Sequence, residues 1–225
     1  MVSTRKLVDT LEEQELLEEL IERQKPPAPE GREFHGLHQL LGTPFRYPPL
    51  RWGSRFGQRH ERGIWYGSLT VPTALAEVAY YRMVFLDGTT ANISPVAELT
   101  AFSAGFASDA AADLTRTPFE RYVPQISSPT DYRDAQMLGT EMRADGVEVF
   151  QYRSARDRDG GSNLGLFTPR AFSSKRPGRE QAIWVCYAGR QRVDMLRKNL
   201  LSGRDKLSFP RSDFEVGGLL PAPAV

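Results

Sequence analysis

The order of the predicted elements constrains the fold of this 225-residue chain more than any other feature. Five candidate strands follow one another in its C-terminal part, with no long helix between them, at 147–153, 163–168, 181–188, 193–197 and 206–209. A doubly wound parallel sheet requires a helix after nearly every strand. We therefore predict an α+β fold built on a strongly twisted or split mixed β-sheet.

Four further elements are predicted before these strands. Glycines bracket a strand at 63–68, and a helix begins near Thr70 with a proline in its first turn. The pattern from Asp131 to Asp145 indicates a second helix, which a glycine ends. Phe45-Arg46-Tyr47, which two prolines follow, is predicted as a short strand.

The first 30 residues carry a net charge of −4, whereas the remainder carries +5. Thr10 and Glu13 form a capping-box pattern, and a stripe of apolar residues follows among glutamates, namely Leu16, Leu17, Leu20 and Ile21. We predict an acidic helical arm with a proline-rich joint over 1–30 and a separate domain over 31–225. The stripe either packs on the body of the protein or contacts a partner or a second copy. Packing is favoured because most apolar stripes are core.

Composition and charge limit the classes of function. The net charge of +1 disfavours a dedicated polyanion-binding protein. The single cysteine, Cys186, lies in an apolar run and is predicted to be a buried, inert thiol. His35 and His38 lack acidic or cysteine partners at ligand-like spacing, so no metal is expected. No segment is apolar enough to span a membrane, and a cytoplasmic location is the expectation.

Glu77 is the first candidate for chemistry, because it is the only charged residue in the stretch from Thr73 to Tyr81. A carboxylate among so many apolar neighbours is partly desolvated, which is typical of catalytic acids and bases. The alternative places Glu77 on the solvated side of an amphipathic helix, where it has no chemical role.

Arginine and aromatic residues lie among glycines upstream of Glu77. Arg55 stands in a turn bracketed by glycines, where the backbone can approach a ligand and a guanidinium can bind phosphate or carboxylate. Arg46 is a second candidate of this kind, and Tyr66, at a strand-to-helix junction, could stack on a flat ring. The alternatives are a solvated surface charge for each arginine and a core position for Tyr66.

The turn after the predicted strand at 147–153 holds further polar residues. Ser154 and Asn163 stand near Arg153 and Arg156 in a glycine-rich segment that suits hydrogen bonding to a ligand. From these residues alone, a plain surface hairpin is the favoured alternative. Ser154 has no nearby histidine and no nucleophile-elbow pattern, so a serine hydrolase is disfavoured.

The succession of motifs over about residues 43–210 resembles the RES domain family. The motifs are Phe45-Arg46-Tyr47, Gly53-Ser54-Arg55-Phe56-Gly57, Gly63–Ser68, Thr73–Val78 and Tyr152-Arg153-Ser154. Eleven residues separate Arg55 from Tyr66, and eleven separate Tyr66 from Glu77. The segment from Gly160 to Phe167 is similar to the family's glycine–asparagine–Leu–Phe segment. Ser54 departs from the second glycine that many members carry at its position.

The resemblance implies a bacterial toxin of a type II toxin–antitoxin pair, with a fold similar to that of ADP-ribosyltransferase toxins. It implies that the domain at 31–225 is catalytic and cleaves the nicotinamide–ribose bond of NAD, with water or phosphate as acceptor. A cognate Xre-like antitoxin would block the site. Beyond NAD as substrate, no cofactor or metal is expected. Neither a membrane nor nucleic acid is expected as a partner, and a homodimer stays open.

The resemblance and the chemistry of this bond together suggest roles for the candidate residues. Glu77 would stabilise positive charge that builds up on the ribose, with Arg55 and Tyr66 as its catalytic partners. Arg46 and Arg55 would bind the pyrophosphate, and Tyr66 would orient the nicotinamide. The remaining NAD-binding candidates, which would hydrogen-bond the ribose or the phosphates, are Tyr47, Ser154 and Asn163.

Two other functions remain open on the sequence. A protein ADP-ribosyltransferase would use the same site but pass ADP-ribose to a macromolecule, so that label from NAD would appear in protein. A non-enzymatic binding module would consume no NAD, and its binding to nucleic acid would weaken steeply with salt.

Overall fold

A computed structural model describes residues 10–27, 29–47, 51–91, 93–198 and 205–223. The chain divides into two compact units, Met1–Glu30 and Gly31–Val225. The first unit contains helix α1 (Leu11–Gln24). The hydroxyl of Thr10 accepts the N–H of Glu13 at 3.1 Å, and the Glu13 carboxylate accepts the N–H of Thr10 at 3.0 Å, which caps the helix. None of the side chains of α1 is buried.

The second unit contains helices and strands in mixed order. Its helices within the described ranges are α2 (Gln39–Arg46), α3 (Val71–Asp87), α4 (Val123–Ile126) and α5 (Arg133–Ala144). Its strands there are β1 (Trp65–Ser68), β2 (Val96–Phe102), β3 (Ala111–Asp113), β4 (Val149–Arg153), β5 (Ser162–Leu166), β6 (Gln181–Ala188), β7 (Arg192–Arg197) and β8 (Lys206–Pro210). Apart from the one at 45–47, the predicted strands and the two predicted helices are present.

The strands form two four-stranded sheets. The first has the order β1-β5-β4-β3, in which β3 and β4 run parallel and the other neighbours antiparallel. The second has the order β2-β6-β7-β8 and is antiparallel throughout. The predicted α+β class with a split sheet is therefore confirmed.

Helix α3 packs against strands of both sheets and so holds the second unit together. It begins where the sequence predicts, because the Thr70 hydroxyl caps it by accepting the N–H of Thr73. Its buried face includes Leu75, Ala79 and Met83, which share one core cluster with Trp184, Cys186, Val193 and Met195 of the second sheet. Cys186 is buried, as predicted, and this burial raises the pKa of its thiol.

The prediction of a strand at 45–47 is wrong. Helix α2 extends to Arg46, and Tyr47 follows its end. Leu41 and Phe45 are both buried and stand four residues apart, close to one helical turn. A three-residue window cannot contain that spacing, so the residues before Phe45 decide the local structure.

Pro44 lies inside α2 and has no N–H to donate to the carbonyl of Leu40. The indole Nε1 of Trp65 donates to that carbonyl instead, at 3.3 Å. This bond gives the Leu40 carbonyl a partner and fastens α2 to β1, so the helix accommodates its proline.

Gly139 of α5 packs directly on the turn around Phe56, since a Cβ at position 139 would lie 2.0 Å from the Phe56 carbonyl oxygen. Alanine favours a helix more than glycine does. We nevertheless expect Gly139→Ala to lower the free energy of unfolding by about 1–3 kcal/mol, because the helix and the turn must separate. Urea denaturation followed by circular dichroism measures the change.

The control for this prediction is Met137→Ala, a substitution at an exposed position of the same helix. Its free energy of unfolding is expected to stay within about 0.5 kcal/mol of the wild-type value. A Gly139→Ala protein as stable as the wild type would contradict the close packing of α5 on this turn.

Candidate active site

The carboxylate of Glu77 is the centre of the site. Its Oε1 accepts hydrogen bonds from Ser154 Oγ at 2.7 Å and from Asn163 Nδ2 at 2.6 Å. Among the residues that the structure describes, none donates a hydrogen bond to Oε2 and no cationic group lies within 4.0 Å of the carboxylate. Glu77 is partly buried. Two neutral donors therefore hold one carboxylate oxygen, and no described residue donates to the other.

The register of the first sheet aims Asn163 at Glu77. Asn163 of β5 lies opposite Ser68 of β1 and Tyr152 of β4, so these side chains share one face of the sheet. Ser68 Oγ donates to Asn163 Oδ1 at 2.6 Å. Because this bond occupies the amide oxygen, the amide nitrogen is turned toward Glu77.

Ser154 directly follows β4, and its hydroxyl is oriented by the backbone. Ser154 Oγ accepts the N–H of Arg156 at 3.1 Å and the N–H of Asp157 at 3.0 Å. A hydroxyl has one proton and two acceptor positions. Since both acceptor positions are occupied, the proton points to Glu77.

Arg55 is buried, with 8% of its surface exposed. Its Nη1 donates to the carbonyl of Ser128 at 2.7 Å, and its guanidinium carbon lies 4.4 Å from the centroid of the Tyr132 ring. The turn that carries it requires glycine at position 53, where φ is +80° and a Cβ would lie 2.3 Å from the Gly57 carbonyl oxygen. Arg55 is therefore not a solvated surface charge.

Tyr66 fastens this turn to β1 through its hydroxyl. The Tyr66 oxygen accepts the N–H of Phe56 at 3.1 Å and lies 2.9 Å from Ser54 Oγ. Burial raises the pKa of Tyr66 to about 12. The observed contacts of the Tyr66 hydroxyl thus position the residues on either side of Arg55.

Arg156 is a second buried cation, only 2% exposed. Its guanidinium carbon lies 3.6 Å from the centroid of the Tyr80 ring, and Nη2 donates to the Pro129 carbonyl at 2.9 Å. Nη1 is buried without a hydrogen-bond partner. In the part of the chain that the structure describes, no carboxylate lies within 4.0 Å of Arg156 or Arg55. Two buried positive charges thus lack an acidic partner.

The pKa values of Tyr152 and Tyr80 respond to the charges of Glu77 and the two arginines, which indicates that these groups lie near one another. Burial raises the pKa of Tyr152 well above its usual value, and the negative charge of Glu77 raises it further, whereas Arg55 opposes the shift. Burial also raises the pKa of Tyr80 to about 12, with Arg156 opposing this shift most strongly among the charged groups. Glu77 and Arg55 act on both rings.

The structure brings together five of the seven residues that the sequence singles out, which are Arg55, Tyr66, Glu77, Ser154 and Asn163. Arg46 and Tyr47 lie instead at the C-terminal end of α2, and neither donates a hydrogen bond to Glu77. The turn after β4 is not a plain surface loop, because Ser154 and Asn163 are buried.

Sequence reasoning missed several residues that organise the centre. Ser68 ends the glycine-bracketed strand and Tyr152 opens the Tyr-Arg-Ser motif, so both were within reach of the motif analysis. Thr73 opens the Thr73–Val78 motif, but nothing in the sequence pairs it with Asp157, because the contact that joins α3 to the turn after β4 depends on the tertiary structure.

An apolar cleft of about 700 Å³ opens beside β1. Tyr66 and Ser68 are among its lining residues, together with Trp65, Phe102, Phe172 and Trp184. Its volume is that of a small-molecule site. Tyr66 and Ser68 therefore border this space, but Glu77, Ser154 and Asn163 are not among its lining residues.

Two negative observations apply to the described ranges alone. They contain no group of three histidine, cysteine, aspartate or glutamate side chains close enough to hold a metal ion. No helix in them combines the length and the apolar character that crossing a bilayer demands.

These elements define an α+β protein in which a helix and one sheet hold the Glu77 carboxylate and the same unit buries two arginines. The model of the RES domain family matches residues 32–186, a range that contains the whole centre. The chain therefore belongs to the RES domain family, as its motifs indicate. A search among curated proteins gave no match.

The buried tyrosine hydroxyl predicts a loss of stability in alkali. The pKa of Tyr66 rises from 10.0 to about 12 on folding, so the folded state keeps this proton where the unfolded state has lost it. Its contribution to stability is complete below about pH 10 and is lost as the pH rises to about 12. Tyr66→Phe should therefore make the free energy of unfolding fall less steeply in this window.

Denaturant unfolding at a series of pH values measures this slope. Tyr122→Phe, which alters an exposed tyrosine, is the control and should leave the slope unchanged. If Tyr66→Phe also has the wild-type slope, the hydroxyl of Tyr66 is not buried in solution as described.

Proposed function

We propose that this protein degrades NAD by cleaving the bond between nicotinamide and ribose, with water or phosphate as acceptor. The observation that carries the proposal is the Glu77 carboxylate, whose Oε1 is held by two neutral donors and whose Oε2 receives no hydrogen bond from the described residues. Membership of the RES family is consistent with a toxin-like domain that acts on NAD.

The geometry supports this reaction because positive charge develops on the ribose as the bond breaks. The electron pair of the C–N bond goes to the nicotinamide nitrogen, and nicotinamide leaves as a neutral molecule. The ribose carbon becomes cationic, and a nearby carboxylate stabilises that charge. Water then adds its oxygen to this carbon and releases a proton, or a phosphate oxygen adds in its place.

A single carboxylate is enough for this chemistry. The leaving group is already positively charged in NAD, so it needs no general acid to protonate it. Ser154 and Asn163 would hold Glu77 in position and contact the ribose or the phosphates. We further propose that Tyr66 orients the nicotinamide and that Tyr47 adds a hydrogen bond to the substrate.

The buried arginines support an anionic substrate. Arg55 and Arg156 have no carboxylate within 4.0 Å in the described residues, so neither buried charge is paired with an acidic side chain there. The pyrophosphate of NAD would supply the missing negative charge. We propose that Arg55 and Arg46 contact it.

The remaining parts of the proposal follow from family membership. They are a fold similar to that of ADP-ribosyltransferase toxins, a cytoplasmic location and neutralisation by a cognate Xre-like antitoxin that blocks the site. No metal or further cofactor takes part in the proposed reaction. Association into a homodimer is compatible with it.

The first test is nicotinamide release from NAD by the full chain, purified free of any partner, with and without inorganic phosphate. ADP-ribose in both buffers would identify a glycohydrolase. Release only with phosphate, as ADP-ribose-1″-phosphate, would identify a phosphorylase. Transfer of label from NAD to protein would contradict the proposal in favour of an ADP-ribosyltransferase, and no release by the folded protein would contradict it outright.

The second test is Glu77→Gln, which keeps an acceptor oxygen for Ser154 and Asn163 but removes the charge. We expect kcat to fall by about 10²- to 10³-fold, as for the loss of other groups that stabilise transition-state charge. The affinity for NAD, measured by calorimetry, should change less than about threefold, because the charge on ribose appears only in the transition state.

Glu98→Gln is the matched control for this substitution. Glu98 is an exposed glutamate of β2 whose partner is Lys198, and its loss should leave kcat unchanged. Wild-type turnover by a folded Glu77→Gln protein would exclude Glu77 from the reaction.

A further inference from the structure

We propose that Thr73 and Asp157 are positioning residues, which set the hydrogen bond between Ser154 and Glu77 without touching the substrate. The inference rests on the proposed function, because the position of Glu77 matters for turnover only if this carboxylate acts on a substrate. Neither of these two polar residues has a role in the proposed reaction itself.

Two neighbouring hydrogen bonds join α3 to the turn after β4. Thr73 Oγ1 donates to Asp157 Oδ2 at 2.7 Å, and one helical turn further along Glu77 Oε1 accepts from Ser154 Oγ at 2.7 Å. Thr73 and Glu77 are four residues apart and lie on one face of α3. Ser154 and Asp157 are three residues apart in one turn. The first bond therefore limits how far the partners of the second can separate.

Asp157 also acts on Ser154 through its backbone. Its N–H donates to Ser154 Oγ at 3.0 Å, and its side-chain Oδ1 accepts the N–H of Asp159 at 3.0 Å. The side chain thus fixes the residue whose N–H occupies one acceptor position of the Ser154 hydroxyl. If Asp157 moves, that position is freed and the hydroxyl can rotate away from Glu77.

The contact between Thr73 and Asp157 is closely enclosed. Thr73 is 1% exposed, and a Cβ at Gly161 would lie 2.1 Å from Thr73 Oγ1 and 2.3 Å from Asp157 Oδ2. Only glycine fits there, so the chain passes directly over the pair. Ser154 N–H donates to the Gly161 carbonyl at 2.8 Å, which ties the two ends of the turn together.

The electrostatics of the pair make the bond strong. Thr70 Oγ1 lies 2.7 Å from Thr73 Oγ1, and because Thr73 gives its proton to Asp157, Thr70 is the donor. The two hydroxyls end on a carboxylate next to the first turn of α3, where negative charge is favoured. Within the described part of the chain, no cationic group lies within 4.0 Å of Asp157. The hydroxyl and N–H donors therefore hold this charge.

The consequence for Glu77 is specific. If Ser154 turns away, Oε1 keeps only the bond from Asn163, and the carboxylate is free to rotate about it. Glu77 Oε2 would then no longer keep a fixed position relative to the substrate. Because this oxygen acts on charge that exists only in the transition state, kcat should suffer more than KM.

The test compares Thr73→Val, which replaces the hydroxyl by a methyl group, with Thr73→Ser, which keeps the hydroxyl and removes the methyl group. For NAD cleavage by the full chain, we expect Thr73→Val to lower kcat about 10- to 100-fold, with KM changed less than about threefold. Thr73→Ser should restore kcat to within about threefold of the wild type, because it keeps the donor. If Thr73→Val does not fold, Asp157→Asn takes its place, since it keeps the shape but loses the charge, and it should lower kcat with little effect on KM.

The matched control is Thr115→Val. Thr115 Oγ1 also donates to an aspartate, Asp113, at 2.6 Å, but next to β3 at the opposite edge of the first sheet from β1. This variant should keep wild-type kcat. An equal loss of kcat in Thr115→Val, or wild-type kcat in folded Thr73→Val, would overturn the positioning role.

A crystal structure of each Thr73 variant separates this inference from the proposed function. In Thr73→Val, the distance between Ser154 Oγ and Glu77 Oε1 should exceed hydrogen-bonding range, whereas Thr73→Ser should retain the bond. An unchanged bond in Thr73→Val would overturn the inference even if NAD turnover is found. Absence of NAD turnover in the wild type would overturn the proposed function, and the same crystal structures would still decide whether Thr73 positions Ser154.

Discussion

The two hydrogen bonds on Glu77 Oε1 are the interaction on which the described site depends. They join helix α3 to the end of β4 and to β5, so they form only when the helix and the sheet are correctly placed. A partly buried carboxylate is costly without such donors. A shift of β5 by one residue would turn Asn163 to the other face of the sheet. The orientation of the Glu77 carboxylate therefore depends on the register of the first sheet.

The second constraint is the positive charge around this carboxylate. Arg55 and Arg156 are both buried, and backbone carbonyls and the rings of Tyr132 and Tyr80 take the place of acidic partners. Burying a cation in this way is unfavourable compared with leaving it in water. The arrangement is understandable if an anionic ligand completes it. Glu77 then supplies a negative charge at the point where the proposed reaction creates a positive one.

The sequence predicted the fold class and much of the centre, for identifiable reasons. Apolar runs between glycines located β4 to β8, and the spacing of Arg55, Tyr66 and Glu77 indicated the family. Strands β2 and β3 were missed because alanine and acidic residues give a weak strand signal. The Tyr66 hydroxyl, the Thr73–Asp157 contact and the burial of the turn after β4 could not be predicted, since each depends on elements distant in sequence.

The separation of the site residues along the sequence determines when the site can form during synthesis. Glu77 is separated by 77 residues from Ser154 and by 86 from Asn163, and Ser68 by 95 residues from Asn163. Closing loops of this length costs chain entropy and slows folding. A nascent chain that ends before β5 lacks Asn163, one of the two donors that hold the carboxylate. Under the proposed function, synthesis of the protein and its attack on NAD are therefore separated in time, because the centre appears only after β5 has been made and has paired.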